Sequence, residues 1–226
     1  MKSDLLIVGT GGTSREIVEA VEDVNLVRTT WNLLGFLDDN STLAGQSIYG
    51  YPVLGSTGDI SKFPKAYLII GVANDRNPFI RKEIVHRLGV ERHRFATLVH
   101  PTACVSKRAH LGCGTIILQF SLVSGNVTIG DYVIISQSVV ISHDVMVGSY
   151  VSMSTSLSIA GAAKIGDGVY IGSGATIYPK VQVGDGALIG IGAVVINSVR
   201  PGVTVFGNPA RVLPTAAQPM PLTTTK

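Results

Sequence analysis

The chain has 226 residues, a formal net charge of +3 with histidines neutral, 46% hydrophobic and 15% charged residues, and 26 glycines. Its basic residues are scattered without a Lys/Arg run, which disfavours nucleic acid, while the mild positive excess suits an anionic, phosphate-bearing ligand. Two cysteines make neither a disulfide framework nor a metal-binding spacing. The apolar stretch at the N-terminus is too short for a signal peptide or a membrane span, so a cytoplasmic protein without membrane contact is expected.

Residues 4–8 read as a buried strand, followed by Gly9-Thr10-Gly11-Gly12 as a turn. Ser14 is placed to cap a helix over about Arg15 to Val24, with Ile17, Val18, Val21 and Val24 on one face. A second strand over residues 33–37 ends at the pair Asp38-Asp39, and a third over residues 66–70 ends at Gly71. Asn77-Pro78 opens a second helix that runs to about Leu88. This alternation predicts a small Rossmann-like α/β domain over residues 1–96, with ligands at the carboxyl ends of its parallel strands. Gly9-x-Gly11 followed by Ser14 is an incomplete dinucleotide fingerprint, and the domain is too short for two mononucleotide-binding halves. The alternative for Asp38-Asp39 is that the pair merely ends the strand in a solvated turn.

From Val99 to Val195 every sixth residue is a bulky aliphatic, through 17 consecutive hexads. The residue four places after each, from Ala103 to Val199, is also small or aliphatic. A helix repeats every 3.6 residues and a strand every 2, so neither sustains a strict six. A parallel β-helix does, because each hexad forms one side of a triangular coil and points one large residue at the axis. The β-helix is predicted over residues 97–213, with nearly six coils stacked to roughly 27 Å at the spacing of adjacent strands. Its low charge implies that partner subunits cover part of the outer surface. Residues 214–226, rich in Pro and Thr, read as a disordered tail.

His143 is the one histidine between Leu111 and Val199. It lies two places after the inward Ile141, which puts it on an outer face or near a corner. Asp144 follows, and a carboxylate there fixes the imidazole tautomer and raises its basicity. One coil is 18 residues, so Gly125 and Gly161 stack on either side of His143 and open a cleft. The Gly161 amide is then placed to donate to a developing oxyanion. Base and oxyanion donor in adjacent coils are an acyl-transfer layout. His86 and His93 fall on or just after a polar helix and read as solvent-facing. His100 falls in the linker and His110 at a coil corner, with no carboxylate beside either. One coil histidine does not make a tetrahedral zinc site, so no metal is expected.

The α/β domain, the hexads and the Ile-Ser-His-Asp segment at Ile141 resemble the bacterial hexapeptide-repeat sugar acetyltransferases of the sialic-acid O-acetyltransferase and UDP-amino-sugar N-acetyltransferase family. The resemblance covers about residues 4–213 and implies that the β-helix is left-handed. It implies His143 as general base and Asp144 as the carboxylate that raises its basicity. It implies acetyl-CoA in the cleft between neighbouring subunits of a homotrimer, with contacts from Ser152, Gly161, Ser173 and Ile191. Some relatives carry a second histidine at Ser152. Gly207-Asn208-Pro209-Ala210 matches the family's ending beside the adenine end of CoA. Gly11, Gly12 and Thr13 would hold the nucleotide of a nucleotide-sugar, Asp38 and Asp39 its base or ribose, and Gly71 would line the same pocket; many members have a histidine at Thr13 or Ser14. The function implied is acetyl-CoA-dependent N-acetylation of a nucleotide-linked amino sugar. O-acetylation of a sugar hydroxyl such as a sialic acid is the alternative within the family, and a non-catalytic β-helix scaffold the alternative outside it.

Overall fold

The computed structural model describes residues 2–213, so the expected tail lies outside the described residues. The N-terminal part contains β1 (Ser3–Val8), α1 (Gly12–Val27), β2 (Trp31–Leu37), β3 (Ser47–Ile48), β4 (Tyr51–Gly55), β5 (Tyr67–Ile70) and α2 (Ile80–Leu88). The sheet order is β3-β4-β2-β1-β5, parallel throughout except for the β3–β4 hairpin. Leu5, Leu6 and Ile7 of β1 are all fully buried, which is why this central strand is a continuous apolar run rather than an alternating one. The hairpin escapes the sequence pattern because its turn is Tyr49-Gly50. Both residues have positive φ (50° and 81°), as a two-residue hairpin turn requires, but the pair lacks the usual Asn-Gly or Asp-Gly signature.

Ser14 is not a cap. α1 begins three residues before the predicted start, with Gly11 at its N-cap and no side-chain cap, and Ser14 is buried in its first turn. There the Ser14 hydroxyl donates to the Gly71 carbonyl at 3.1 Å, tying the helix to the end of β5. α2 starts at Ile80 instead of Asn77-Pro78. Asn74 accounts for the delay, because its side-chain oxygen accepts the N–H groups of Arg76 (2.9 Å) and Asn77 (3.3 Å) and holds that segment in a turn.

The C-terminal part is a left-handed parallel β-helix of two-residue strands paired 18 residues apart, as in Leu122–Val140–Ser158. Three sheets result, of eight, six and five strands. The first sheet includes Ser152–Met153, the second Val140–Ile141 and the third Met146–Val147. Both hexad columns fill the axis: Ile117, Ile135, Ile171 and Ile189 are fully buried, as are Val127, Val133, Val139 and Val145. The turn residue at every sixth position from Phe120 to Ala162 has positive φ. At the open end, Thr204–Phe206 extends the first sheet and the antiparallel strand Arg211–Val212 covers its edge.

The two parts meet without slack. The Ala96 N–H bonds to Leu68 of β5, and two residues later the Leu98 N–H bonds to Thr115 of the next coil, each at 2.9 Å. Ile17 and Val21 of α1 share one core with Leu98, Ile116 and Ile134 of the first sheet. Phe95 meets Tyr132 edge-on at 5.1 Å, and Tyr132 stacks on Tyr150 at 5.3 Å. Among the described residues no helix is long and apolar enough to cross a membrane.

Candidate active site

His143 and Asp144 form the corner between the second and third sheets of the β-helix. Asp144 sits in the left-handed turn position, with φ 61°. That geometry brings its Oδ2 to 2.8 Å from His143 Nδ1. A carboxylate only accepts, so Nδ1 carries the proton and Nε2 presents its lone pair. One coil earlier, Asn126 Nδ2–H donates to the other carboxylate oxygen at 2.6 Å. The Asn126 bond first, and the His143 bond second, hold the Asp144 carboxyl below its ordinary value. Asn126 was not singled out in the sequence, although subtracting one 18-residue coil from Asp144 leads to it.

Gly161 lies under the imidazole. A methyl group built on its Cα would fall 2.7 Å from His143 Cε1 and 2.8 Å from Nε2, so the ring occupies the space that glycine leaves. Gly125, on the other side, approaches only Ser106 Oγ, at 3.7 Å from an equivalent methyl. The Gly161 carbonyl accepts from Lys180 N–H at 3.0 Å, while its own N–H finds no acceptor among the described residues. The imidazole is 71% exposed, which leaves Nε2 open to a substrate arriving from outside the chain.

The α/β domain encloses a second feature, a cavity of about 350 Å³ lined by Gly11, Gly12, Thr13, Asp38, Asp39 and Gly71 together. Gly11 and Gly12 leave open space toward it, with nothing within 4 Å of an added methyl, whereas one on Gly71 would strike Ser14 Oγ at 2.2 Å. The uncapped first turn of α1 faces the same space, and free helix N–H groups favour an anion. Asp38 accepts from the Thr10 hydroxyl at 2.7 Å. Asp39 accepts from the Thr57 N–H and hydroxyl at 2.8 and 2.7 Å and pairs with Arg87 at 2.8 Å. Burial raises the Asp39 carboxyl, but the Thr57 bonds and Arg87 outweigh it and hold the group below its ordinary value. The two aspartates are therefore tied into the wall by hydrogen bonds, while the Asp39 side chain stays 44% exposed at the end of its strand. Thr57 had no signal in the sequence, because it follows a β3–β4 hairpin that the pattern does not show, and Arg87, on the expected second helix, meets Asp39 across the fold with no local spacing to announce it.

A groove of about 370 Å³ adjoins this cavity, sharing Thr13 and Ala73 with it, and runs onto the first sheet along Ser136, Ser152, Ser154 and Tyr170. Arg81 fastens the two halves together. It is 1% exposed, and its guanidinium donates to the carbonyls of Tyr132 and Val72 and to Ser152 Oγ at 2.9 Å each, and to the Tyr150 carbonyl. Burial lowers its pKa to about 10. Ser152 is thus buried and engaged by Arg81, in the groove rather than beside Gly161. Ser173 lies at the corner between the first and second sheets, accepting from Thr155 Oγ1 at 3.1 Å, and Ile191 stacks one coil beyond it, 75% exposed. Within one chain the sites expected to hold CoA therefore fall on the first sheet and on two different corners.

Two expectations about the remaining histidines are corrected. His100 does have a carboxylate beside it: it is buried, its Nε2–H donates to Asp23 of α1 at 2.9 Å, and its Nδ1 accepts the Thr102 N–H at 3.1 Å. The pairing spans 77 residues and was invisible to local spacing. His110 lies in a strand of the third sheet, not at a corner. Among the described residues no cluster of three or more His, Cys, Asp or Glu could hold a metal.

Comparison with known proteins matches residues 4–88 to the PglD N-terminal domain and residues 162–197 to the bacterial transferase hexapeptide (six repeats). The UDP-N-acetylbacillosamine N-acetyltransferase of Bacillus subtilis (strain 168) is 33% identical over 117 residues, which are 51% of either chain, so the match spans about half of that relative. The acetyltransferase domain of PglB from Neisseria gonorrhoeae FA1090, solved in complex with acetyl coenzyme A, is 30% identical with a TM-score of 0.82, over 94% of this chain and 100% of that one. WeeI from Acinetobacter baumannii AYE is 27% identical with a TM-score of 0.79, over the same 94% and 100%.

Proposed function

The chain belongs to the bacterial hexapeptide-repeat sugar acetyltransferases, and on that premise we propose that it uses acetyl-CoA to acetylate the amino group of a nucleotide-linked amino sugar. The observation that carries the reading is the His143–Asp144 pair seated over Gly161. The nucleotide-sized cavity, with its uncapped helix start, supports the choice of acceptor. The naming of the Bacillus relative as an N-acetyltransferase favours nitrogen over a sugar hydroxyl. No metal enters the scheme.

In this mechanism the acceptor ammonium loses its proton to His143 Nε2, directly or through a water, and the neutral amine attacks the thioester carbonyl. The Gly161 N–H donates to the oxyanion of the tetrahedral intermediate. Collapse breaks the carbon–sulfur bond, the imidazolium gives its proton to the departing CoA thiolate, and the nitrogen, which still carries one proton too many, releases it to solvent to leave the neutral amide. Asp144 stabilises the imidazolium between the two steps.

His143 projects from a different corner from the one beside the groove that continues the nucleotide cavity, so we place the reaction between copies in a homotrimer. An apolar stripe on and beside the second sheet (Phe120, Leu122, Val140, Tyr178 and Ile191) is exposed in the single chain and supports that packing. In this arrangement Ser152 belongs to the acceptor groove, while Ser173 and Ile191 remain the side on which CoA would lie. A cytoplasmic location fits an enzyme that draws on acetyl-CoA.

The test is thiol release from acetyl-CoA with UDP-, GDP- and CMP-linked amino sugars beside free sialic acid. Rapid release with one nucleotide amino sugar is expected. Release only with hydroxyl acceptors would assign O-acetylation instead, and absence of acetyl-CoA binding would return the β-helix to a scaffold.

A further inference from the structure

The Asp144 carboxylate is held at both oxygens, Oδ2 by the imidazole at 2.8 Å and Oδ1 by Asn126 at 2.6 Å. We propose that Asn126 is a positioning residue for acyl transfer, which turns the Asp144 carboxylate so that Oδ2 faces His143 Nδ1 and Nε2 stays the basic nitrogen. The inference rests on the reading of His143 as base.

The physical case starts from exposure. Asp144 is 49% exposed and His143 71%, so water competes for every hydrogen bond at this corner. A carboxylate with one protein partner rotates about its last torsion and exchanges that partner for water. A second, charge-assisted bond at a fixed point removes the rotation. Asn126 is such a point. It occupies the same corner one coil earlier, and its backbone has the same left-handed conformation as Asp144, φ 61° at both. The Asp144 N–H also bonds to the Gly125 carbonyl at 3.3 Å, so backbone and side chain of neighbouring coils are registered together. The stacking of the β-helix thereby sets the tautomer of a histidine that is not itself packed. Asparagine suits the task because its amide donates; an aspartate of the same shape would only accept.

A turn residue could be kept at position 126 for its left-handed backbone alone, and the test separates the two roles. Asn126→Gly favours positive φ and removes only the amide, whereas Asn126→Asp keeps the shape and removes the donor. Each is expected to lower kcat about tenfold, the low end of what supporting partners of a functional histidine contribute, with KM for acetyl-CoA within about twofold of wild type. In an Asp144→Ala background Asn126→Gly should change kcat by less than about twofold, because nothing remains for it to orient. Nitrogen chemical shifts of the His143 ring, measured on the protein without substrate, should report Nδ1–H in the wild type and a mixed tautomer in Asn126→Gly. Unchanged kcat in Asn126→Gly, an undiminished loss in the Asp144→Ala background, or unchanged ring shifts would each overturn the proposal. A wild type that transfers no acetyl group while Asn126→Gly still moves the ring shifts would sink the catalytic reading and leave the positioning role intact.

Discussion

Gly161→Ala separates catalysis from folding at the corner occupied by His143. The new methyl would lie 2.7 Å from Cε1, 2.8 Å from Nε2 and 3.3 Å from Nδ1 of the imidazole. Ordinary contact distances for such pairs begin at about 3.5 Å, so the ring must move by roughly 0.7 Å or more. Gly161 does not have positive φ, so its backbone accepts an alanine without strain. The displaced group is the end of a largely exposed side chain that can swing into solvent, and stability should therefore change by less than about 1 kcal/mol. Catalysis has no such freedom: a misplacement of about 1 Å costs on the order of 10²-fold in rate, equivalent to about 2.7 kcal/mol in the barrier. The assay is thiol release under saturating acceptor and acetyl-CoA, alongside denaturant unfolding of the same preparation. A folded Gly161→Ala protein with wild-type kcat would refute the placement of the base over this glycine.

The other predictions concern binding and stability. Gly11→Ala should fold, since nothing lies within 4 Å of the added methyl, and should raise the acceptor KM several-fold with KM for acetyl-CoA unchanged, as initial-rate kinetics would show. Arg81→Met leaves the buried Tyr132 carbonyl and Ser152 hydroxyl and the half-buried Val72 and Tyr150 carbonyls without this partner and should reduce unfolding free energy by about 3 kcal/mol; a loss below about 1 kcal/mol would contradict the fastening role of this side chain. Lys62, with the Ser56 amide and hydroxyl, holds the Asp59 carboxyl down to about 2 from its usual 3.8. A depressed folded pKa stabilises above the unfolded value, and that stability is lost as pH falls toward 2. Melting temperatures of wild type and Asp59→Asn should therefore differ at pH 7 and converge on acidification; divergence would contradict the assignment.

What could be read from the sequence was whatever repeats or lies close along the chain. The coil from Val99 to Val195 is legible because each hexad is a local unit and its partner is always 18 residues away. The glycine loop, Asp38-Asp39 and Gly71 are legible because parallel α/β strands gather their carboxyl ends. Contacts between elements without a fixed period were hidden. Arg81 reaches Ser152 across 71 residues, His100 reaches Asp23 across 77, and Thr57 reaches Asp39 through a hairpin whose Tyr49-Gly50 turn lacks the usual signature. Ser14 looked like a cap because serine before an apolar helix face usually is one. Gly71 leaves room for its hydroxyl to turn inward instead. Asn126 stands between the two cases, since its period is the coil itself and only its chemistry went unread.

The most direct test of the central claim is turnover of a folded His143→Ala protein with the nucleotide amino sugar that the wild type acetylates. The account predicts a fall in kcat of about 10²–10⁴, the contribution of a positioned general base, with acetyl-CoA binding retained. Wild-type-like turnover from that protein would show that another group takes the proton, and the assignment of the site to this corner of the β-helix would fall with it.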